Sequence, residues 1–191
     1  RQAGMNEDRL AAAERGHAIV KMNKLREMAA NGKVSEGIKI IDTTLNHNEH
    51  AVVFCAYNDP LKAVCSHFRS KSGKNFQGTK WHGAELLIGT TPKHKRTEMI
   101  DRFNAGKIGL LCIGVGAGGM GIDLPIARFG YFLDLPWTPA DFEQCTGRLL
   151  RLGQERDCQF VKLLADHTID QRMEAIIQYK AGIFAEAIGD E

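Results

Sequence analysis

The feature that most constrains the fold is a regular alternation of short apolar runs with longer helix-forming stretches. Ala51-Val-Val-Phe-Cys-Ala-Tyr57 is apolar throughout, as a strand buried on both faces must be. Further strand-like runs fall within 80–88, 108–115, 129–133 and 159–164. Between them lie helical stretches. One opens at Asn58 and Pro60 and is buried through Leu61, Val64, Cys65 and Phe68. Another follows Gly89-Thr90-Thr91-Pro92, with Thr91 as N-cap and Pro92 as first helical residue, and buries Met99, Ile100 and Phe103. Two more are expected at 139–152 and 168–187. Strands joined through helices make a parallel sheet covered on both faces, an α/β fold. Ligands of such sheets sit beyond the C-terminal ends of the strands, so the loops after Tyr57, Ile88, Val115 and Asp134 are where chemistry is expected.

Upstream, 6–31 carries an intermittent apolar stripe (Leu10, Ile19, Met22, Leu25, Met28), and 35–45 is buried through Ile38, Ile41 and Leu45. These two helices form an N-terminal bracket or connector over 1–48, and the α/β domain occupies 49–191. The 191 residues suffice for one such domain with a sizeable core. No apolar stretch approaches the ~20 residues of a membrane span, and no signal peptide is visible, which predicts a soluble protein. It would be cytoplasmic if bacterial or phage-encoded and nuclear if eukaryotic. Arg1, in place of an initiator methionine, predicts a piece cut from something longer. The five cysteines show no metal-binding spacing and read as reduced core residues. His47-Asn48-Glu49-His50 lacks metal-site companions and reads as a solvated helix end; no metal ligands are predicted. A net charge of +2 does not by itself announce a nucleic-acid binder.

The glycine-rich loop runs Gly114-Val-Gly116-Ala-Gly118-Gly119-Met-Gly121-Ile-Asp123-Leu-Pro125. Gly114, Gly116 and Gly119 satisfy a dinucleotide-binding spacing, but Gly121 and Pro125 interrupt the helix that such a site needs directly afterwards. In isolation, a loop needing glycines only for its turns would be the better reading. Four glycines within six residues after a central strand nonetheless allow a close backbone approach to a ligand.

A second cluster decides between them: Gln144-Cys-Thr-Gly147-Arg148-Leu-Leu-Arg151-Leu-Gly153-Gln154. On a continuous helix, Gln144, Arg148 and Arg151 project from one face, while Phe142, Cys145, Leu149 and Leu152 turn to the core. Paired guanidiniums suit the oxygens of a polyphosphate. The plain alternative is a solvated basic helix face.

Together these strings resemble the C-terminal motor lobe of superfamily 2 helicases in its Swi/Snf form. Gln144-x-x-Gly147-Arg148-x-x-Arg151-x-Gly153-Gln154 looks like the family's sixth motif, and Gly118-Gly119-Met120-Gly121-Ile122-Asp123-Leu124 like the fifth. Asp134-x-Pro136-Trp137-Thr138-Pro139 is similar to its Asp, Trp-Asn-Pro stretch. Val52-Val-Phe54, Gly89-Thr90-Thr91 with Arg96, Phe103-Asn104, and Thr168-Ile169-Asp170 with Lys180 match further segments. The departures are Asp123 and Thr138, where many Swi/Snf members carry Asn, and Gly147, which is more typical of helicases at large.

The resemblance implies a RecA-like parallel sheet flanked by helices, and ATP with magnesium held between two lobes. The chain has no Walker A lysine motif and no Asp-Glu box, so those parts are expected on a first, N-terminal lobe, and this chain alone should be inactive. Here Arg148 and Arg151 would act as arginine fingers with Gln144 organising their face, and Gly119, Gly121 and Asp123 would lie near the nucleotide. Thr90, Lys93, Arg96 and the amides around Gly118 would grip double-stranded DNA by its backbone at the lobe's other edge. The rival readings are a non-catalytic RecA-like DNA- or protein-binding module, and the lobe of a strand-unwinding helicase.

Overall fold

The computed structural model describes residues 2–117 and 121–188. Helices α1 (Gln2–Gly32) and α2 (Val34–Asn46) lead into β1 (Ala51–Cys55) and α3 (Asn58–Phe68). A hairpin of β2 (Ser72–Lys74) and β3 (Lys80–His82) precedes β4 (Ala84–Leu87), α4 (Lys93–Asn104) and β5 (Leu110–Gly114). After a short 3-10 turn (Val115–Ala117) come β6 (Phe129–Phe132), α5 (Pro139–Thr146), β7 (Gln159–Lys162) and α6 (Ile169–Ile188).

Five strands form one sheet in the order β4-β5-β1-β6-β7, every pair parallel, as the alternation of strands and helices requires. The central strands β1 and β5 are wholly buried. Alternate side chains serve two cores. Val53, Cys55, Leu110 and Cys112 meet Ile41 and Leu45 of α2 and Leu61 and Val64 of α3. Val52, Phe54, Leu111 and Ile113 meet Phe103 of α4 and Cys145 and Leu149. Helix α1 packs on α3 and α6 and is tied down by the buried ion pair of Arg26 with Asp134 at 2.8 Å; Lys33, between α1 and α2, makes a second with Asp170 at 2.5 Å.

Several local expectations change. The strand expected within 80–88 is split at Gly83, whose φ is +75 and where a Cβ would stand 2.7 Å from the Arg69 carbonyl oxygen. Only Ala84–Leu87 joins the sheet; Lys80–His82 pairs antiparallel with Ser72–Lys74. Thr91 does not cap α4, because its Oγ1 accepts from the Ile88 N–H at 3.0 Å and the helix starts at Lys93. At the end of α2, only the first half of His47-Asn48-Glu49-His50 is solvated. Glu49 is buried as the shared partner of Arg128 and Arg156. His50 is fully buried with Nδ1 2.8 Å from the Ile108 carbonyl oxygen, and burial holds its pKa below the usual value. The cysteines are free, and Cys55, Cys65, Cys112 and Cys145 are buried.

The largest change concerns α5. The helix expected to reach 152 ends at Thr146, because the Leu124 N–H takes the Arg148 carbonyl at 2.8 Å and the chain continues in tight turns. Gln144, Arg148 and Arg151 therefore do not share one helix face. Leu152, expected in the core, is 101% exposed.

Candidate functional site

The turns after α5 and the segment before β6 hold each other in place. Ile122 and Leu124 are buried in the second core, which turns Asp123 between them to the surface. Asp123 is then fixed from two sides: its carbonyl accepts from Asn104 Nδ2 at 2.9 Å, and its Oδ1 lies 2.9 Å from Arg151 Nε. Gln154 Nε2 donates to the Pro125 and Ala127 carbonyls, both at 2.9 Å. Arg156 donates to Glu49 at 2.8 Å and to the Ile126 carbonyl at 3.0 Å, with its guanidinium 3.6 Å from the centre of the Phe76 ring. Around these groups lies an open cleft of about 660 Å³, lined among others by Asp123, Arg151, Gly153, Gln154, Arg156 and Asp157.

Of the expected nucleotide-side residues, the structure thus brings Asp123 and Arg151 together. Arg148 lies three residues earlier in the same turns. It is only 5% exposed, and its Nε has no hydrogen-bond partner among the described residues. Gln144 stands exposed on α5, away from any continuous face with the two arginines. Gly121 has φ +25, a backbone that favours glycine. Gly118 and Gly119 lie outside the described residues. No helix follows the 3-10 turn before β6 among the described residues, whereas a dinucleotide-type loop leads directly into one.

The cleft lies at the edge of the sheet where β6 and β7 begin, since its residues immediately precede both strands. This is opposite the C-terminal edge where ligands of parallel sheets usually bind. There, the crevice beyond β1 and β6 is filled by Arg26 of α1. Its guanidinium pairs bidentately with Asp134, at 3.2 and 2.8 Å, and donates to the Leu135 carbonyl. It also lies 4.3 Å from the centre of the Trp137 ring. Burial outweighs that attraction and pushes the Asp134 carboxyl up to about 6. Sequence reasoning missed Arg26 because a single arginine on an amphipathic helix carries no motif. It missed Arg156 because that residue lies beyond the motif spacing.

Thr90, Lys93 and Arg96 are at the C-terminal edge, on the β4–α4 loop and the first turn of α4. Thr90 and Lys93 are exposed. Arg96 is committed to the loop, donating from Nε to the Thr91 carbonyl and from Nη2 to the Gly89 carbonyl at 2.7 Å. Thr138, in place of Asn, is a working N-cap for α5: its Oγ1 accepts from the Asp141 N–H at 3.1 Å.

The clustered guanidiniums suit phosphate oxygens. No group of three or more His, Cys, Asp or Glu residues able to hold a metal occurs among the described residues. Residues 32–153 match the family model described as the helicase conserved C-terminal domain. The chain belongs to that family. An uncharacterized ATP-dependent helicase, YqhH of Bacillus subtilis (strain 168), is 26% identical over 90% of this helicase C-terminal domain chain, which spans 28% of that relative's length. The structure resembles the C-terminal part of the Fun30 ATPase domain, with TM-score 0.65 at 23% identity over 76% of this chain and 45% of that one. It also resembles the Sulfolobus solfataricus SWI2/SNF2 ATPase core domain, with TM-score 0.66 at 18% identity over 90% of this chain and 36% of that one. These likenesses support the RecA-like parallel sheet. No helix among the described residues is long and apolar enough to cross a membrane.

Proposed function

We propose that this helicase C-terminal domain is the second motor lobe of an ATP-dependent translocase of the Swi/Snf type that acts on double-stranded DNA. The observation that carries this reading is Arg148, a buried cation whose Nε lacks a partner, three residues from the half-exposed Arg151. An uncompensated buried charge costs several kcal/mol, which phosphate oxygens arriving from outside would offset. When bound, ATP with magnesium supplies the phosphoanhydride bond that is cleaved. Arg148 and Arg151 face its terminal phosphate as arginine fingers, and Asp123 steadies the Nε side of Arg151. In related phosphoryl transfers one such finger is worth ~10³ to 10⁵ in rate. Gln144 contributes an amide at the rim. Walker A and the magnesium ligands belong to the first lobe, and Leu150 and Leu152, 56% and 101% exposed beside Arg151, are apolar surface for that lobe to cover.

At the opposite edge, Thr90, Lys93 and the Gly118 amides follow the phosphate backbone of the duplex without reading bases, and Arg96 keeps their loop in shape. The test is steady-state phosphate release by this chain alone, with and without duplex DNA, beside the protein carrying both lobes. DNA-stimulated release by the two-lobe protein only is expected. Release above background by the single lobe would overturn the reading.

A further inference from the structure

The β2–β3 hairpin has a face whose lysines make no ion pair among the described residues. Gly73 and Trp81 turn inward, while Ser72, Lys74, Lys80 and His82 are exposed on the outside. The register sets Lys74 directly opposite Lys80. Like charges facing each other across a strand pair are destabilising, and here they are held firmly. Asn75 Oδ1 accepts from the Gln77 and Thr79 N–H groups at 3.0 and 2.8 Å, Gly78 turns the loop at φ +80, and Trp81 is buried against Gly73 and Gly109. Exposed Lys107 stands alongside, its carbonyl accepting from the His82 N–H at 3.0 Å.

Of the carboxylates nearby, Asp42 pairs with Lys71, Glu85 with Arg102, and Glu49 with Arg128 and Arg156, while Glu155 lines a cavity with Phe76 and Gln77 and forms no ion pair with Lys74 or Lys80. From 67 to 84 the sequence holds Arg69, Lys71, Lys74 and Lys80 and no acidic residue. The exposed apolar side chain of the hairpin, Phe76 at its tip, lies against Arg156, and the lysines of the outer face are of a type depleted in protein interfaces. That face offers cationic donors at fixed positions, which is what a phosphate backbone takes.

We propose that the outer face of the β2–β3 hairpin is a second nucleic-acid contact, in which Lys74, Lys80 and Lys107 take backbone phosphates of a duplex. This rests on the nucleic-acid partner proposed above. The hairpin sits where β4 and β5 begin, opposite Thr90 and Lys93, so it holds a different stretch of backbone. Its tip touches the arginine cleft, because Phe76 lies on Arg156.

The test uses the two-lobe protein and a labelled duplex of mixed sequence, with affinity measured across a salt series. Changing Lys74→Gln and Lys80→Gln together should lower the slope of log affinity against log salt by about two units. The corresponding Lys→Arg pair should keep it. Thermal stability of the Gln pair should hold or rise, since a like-charge pair is relieved. An unchanged slope, in a protein that otherwise binds duplex with steep salt dependence, overturns the hairpin contact and leaves the partner reading standing. So does a Gln pair that loses binding to a glutamate-rich peptide but not to duplex. If the unaltered protein binds no duplex at all, the partner reading fails and the hairpin contact with it.

Discussion

Asp123 Oδ1 lies 2.9 Å from Arg151 Nε, and this ion pair joins the segment before β6 to the turns after α5. Both side chains are about half exposed, so the pair is worth at most about 1 kcal/mol. It is strong enough to orient Arg151 and weak enough to yield to a phosphate. Asp123→Asn should therefore leave folding nearly unchanged and lower the KM for ATP of the two-lobe protein by no more than about fivefold. Steady-state kinetics would check this, and a raised KM would mean that orienting Arg151 outweighs the competition between the carboxylate and the phosphate.

Arg148 calls for the opposite pairing of effects. If it is a buried cation awaiting a phosphate, Arg148→Met should hold or raise the melting temperature of the unliganded protein, because an uncompensated charge is replaced by apolar volume. The same change should cut DNA-stimulated kcat by orders of magnitude while moving ATP affinity much less. A lower melting temperature with near-normal turnover would make Arg148 a structural residue only.

Two buried groups set opposing pH dependences. The folded pKa of Asp134, about 6, lies above the ~3.9 of an unfolded aspartate, because desolvation outweighs Arg26. Its contribution is full below about pH 4 and is lost as pH rises through about 6, on the order of 3 kcal/mol. His50 is depressed by burial, so its contribution is present above about pH 6.5 and is lost as pH falls through its lowered pKa. Chemical denaturation should show the stability difference between the unaltered protein and Asp134→Asn shrinking as pH is raised, and that for His50→Gln growing. A difference for Asp134 that grows with pH would mean that Arg26 wins over desolvation.

The parallel sheet was legible because strands buried on both faces, such as Ala51–Cys55 and Leu110–Gly114, leave unbroken apolar runs. The motif residues were legible as residue types, and Asp123 with Arg151 proved to be neighbours. The single helix face for Gln144, Arg148 and Arg151 was not, since spacing along the chain could not show that Leu124 would claim the Arg148 carbonyl and stop α5. The β2–β3 hairpin left no pattern either. Its three-residue strands are rich in Lys, Ser and Gly, which are poor strand formers, and the buried Trp81 that anchors it finds its partners at Gly73 and Gly109. Arg26 filling the crevice beyond β1 and β6 depends on a contact 108 residues apart in sequence, which periodicity does not reach.

The C-terminal edge gives a division of labour between two residues of one helical turn. Lys93 is exposed with no ion pair among the described residues, whereas Arg96 spends its guanidinium on the carbonyls of Ile88, Gly89 and Thr91. Lys93→Ala should therefore reduce the salt slope of duplex binding by about one unit and leave stability unchanged within ~0.5 kcal/mol. Arg96→Ala should instead lower the melting temperature and weaken duplex binding indirectly, through a loosened Gly89–Pro92 loop. Arg96→Lys should not rescue it, because one ammonium cannot reproduce the planar fork that meets three carbonyls. The decisive comparison is ATPase stimulation of the two-lobe protein by duplex DNA, single-stranded DNA and RNA at equal nucleotide concentration, with Lys93→Ala alongside. Duplex should stimulate most and Lys93→Ala should blunt that stimulation. Stimulation by single strands or RNA alone would make this the lobe of a strand-unwinding helicase, and would leave the Trp137-Thr138-Pro139 stretch without value as a mark of duplex translocation.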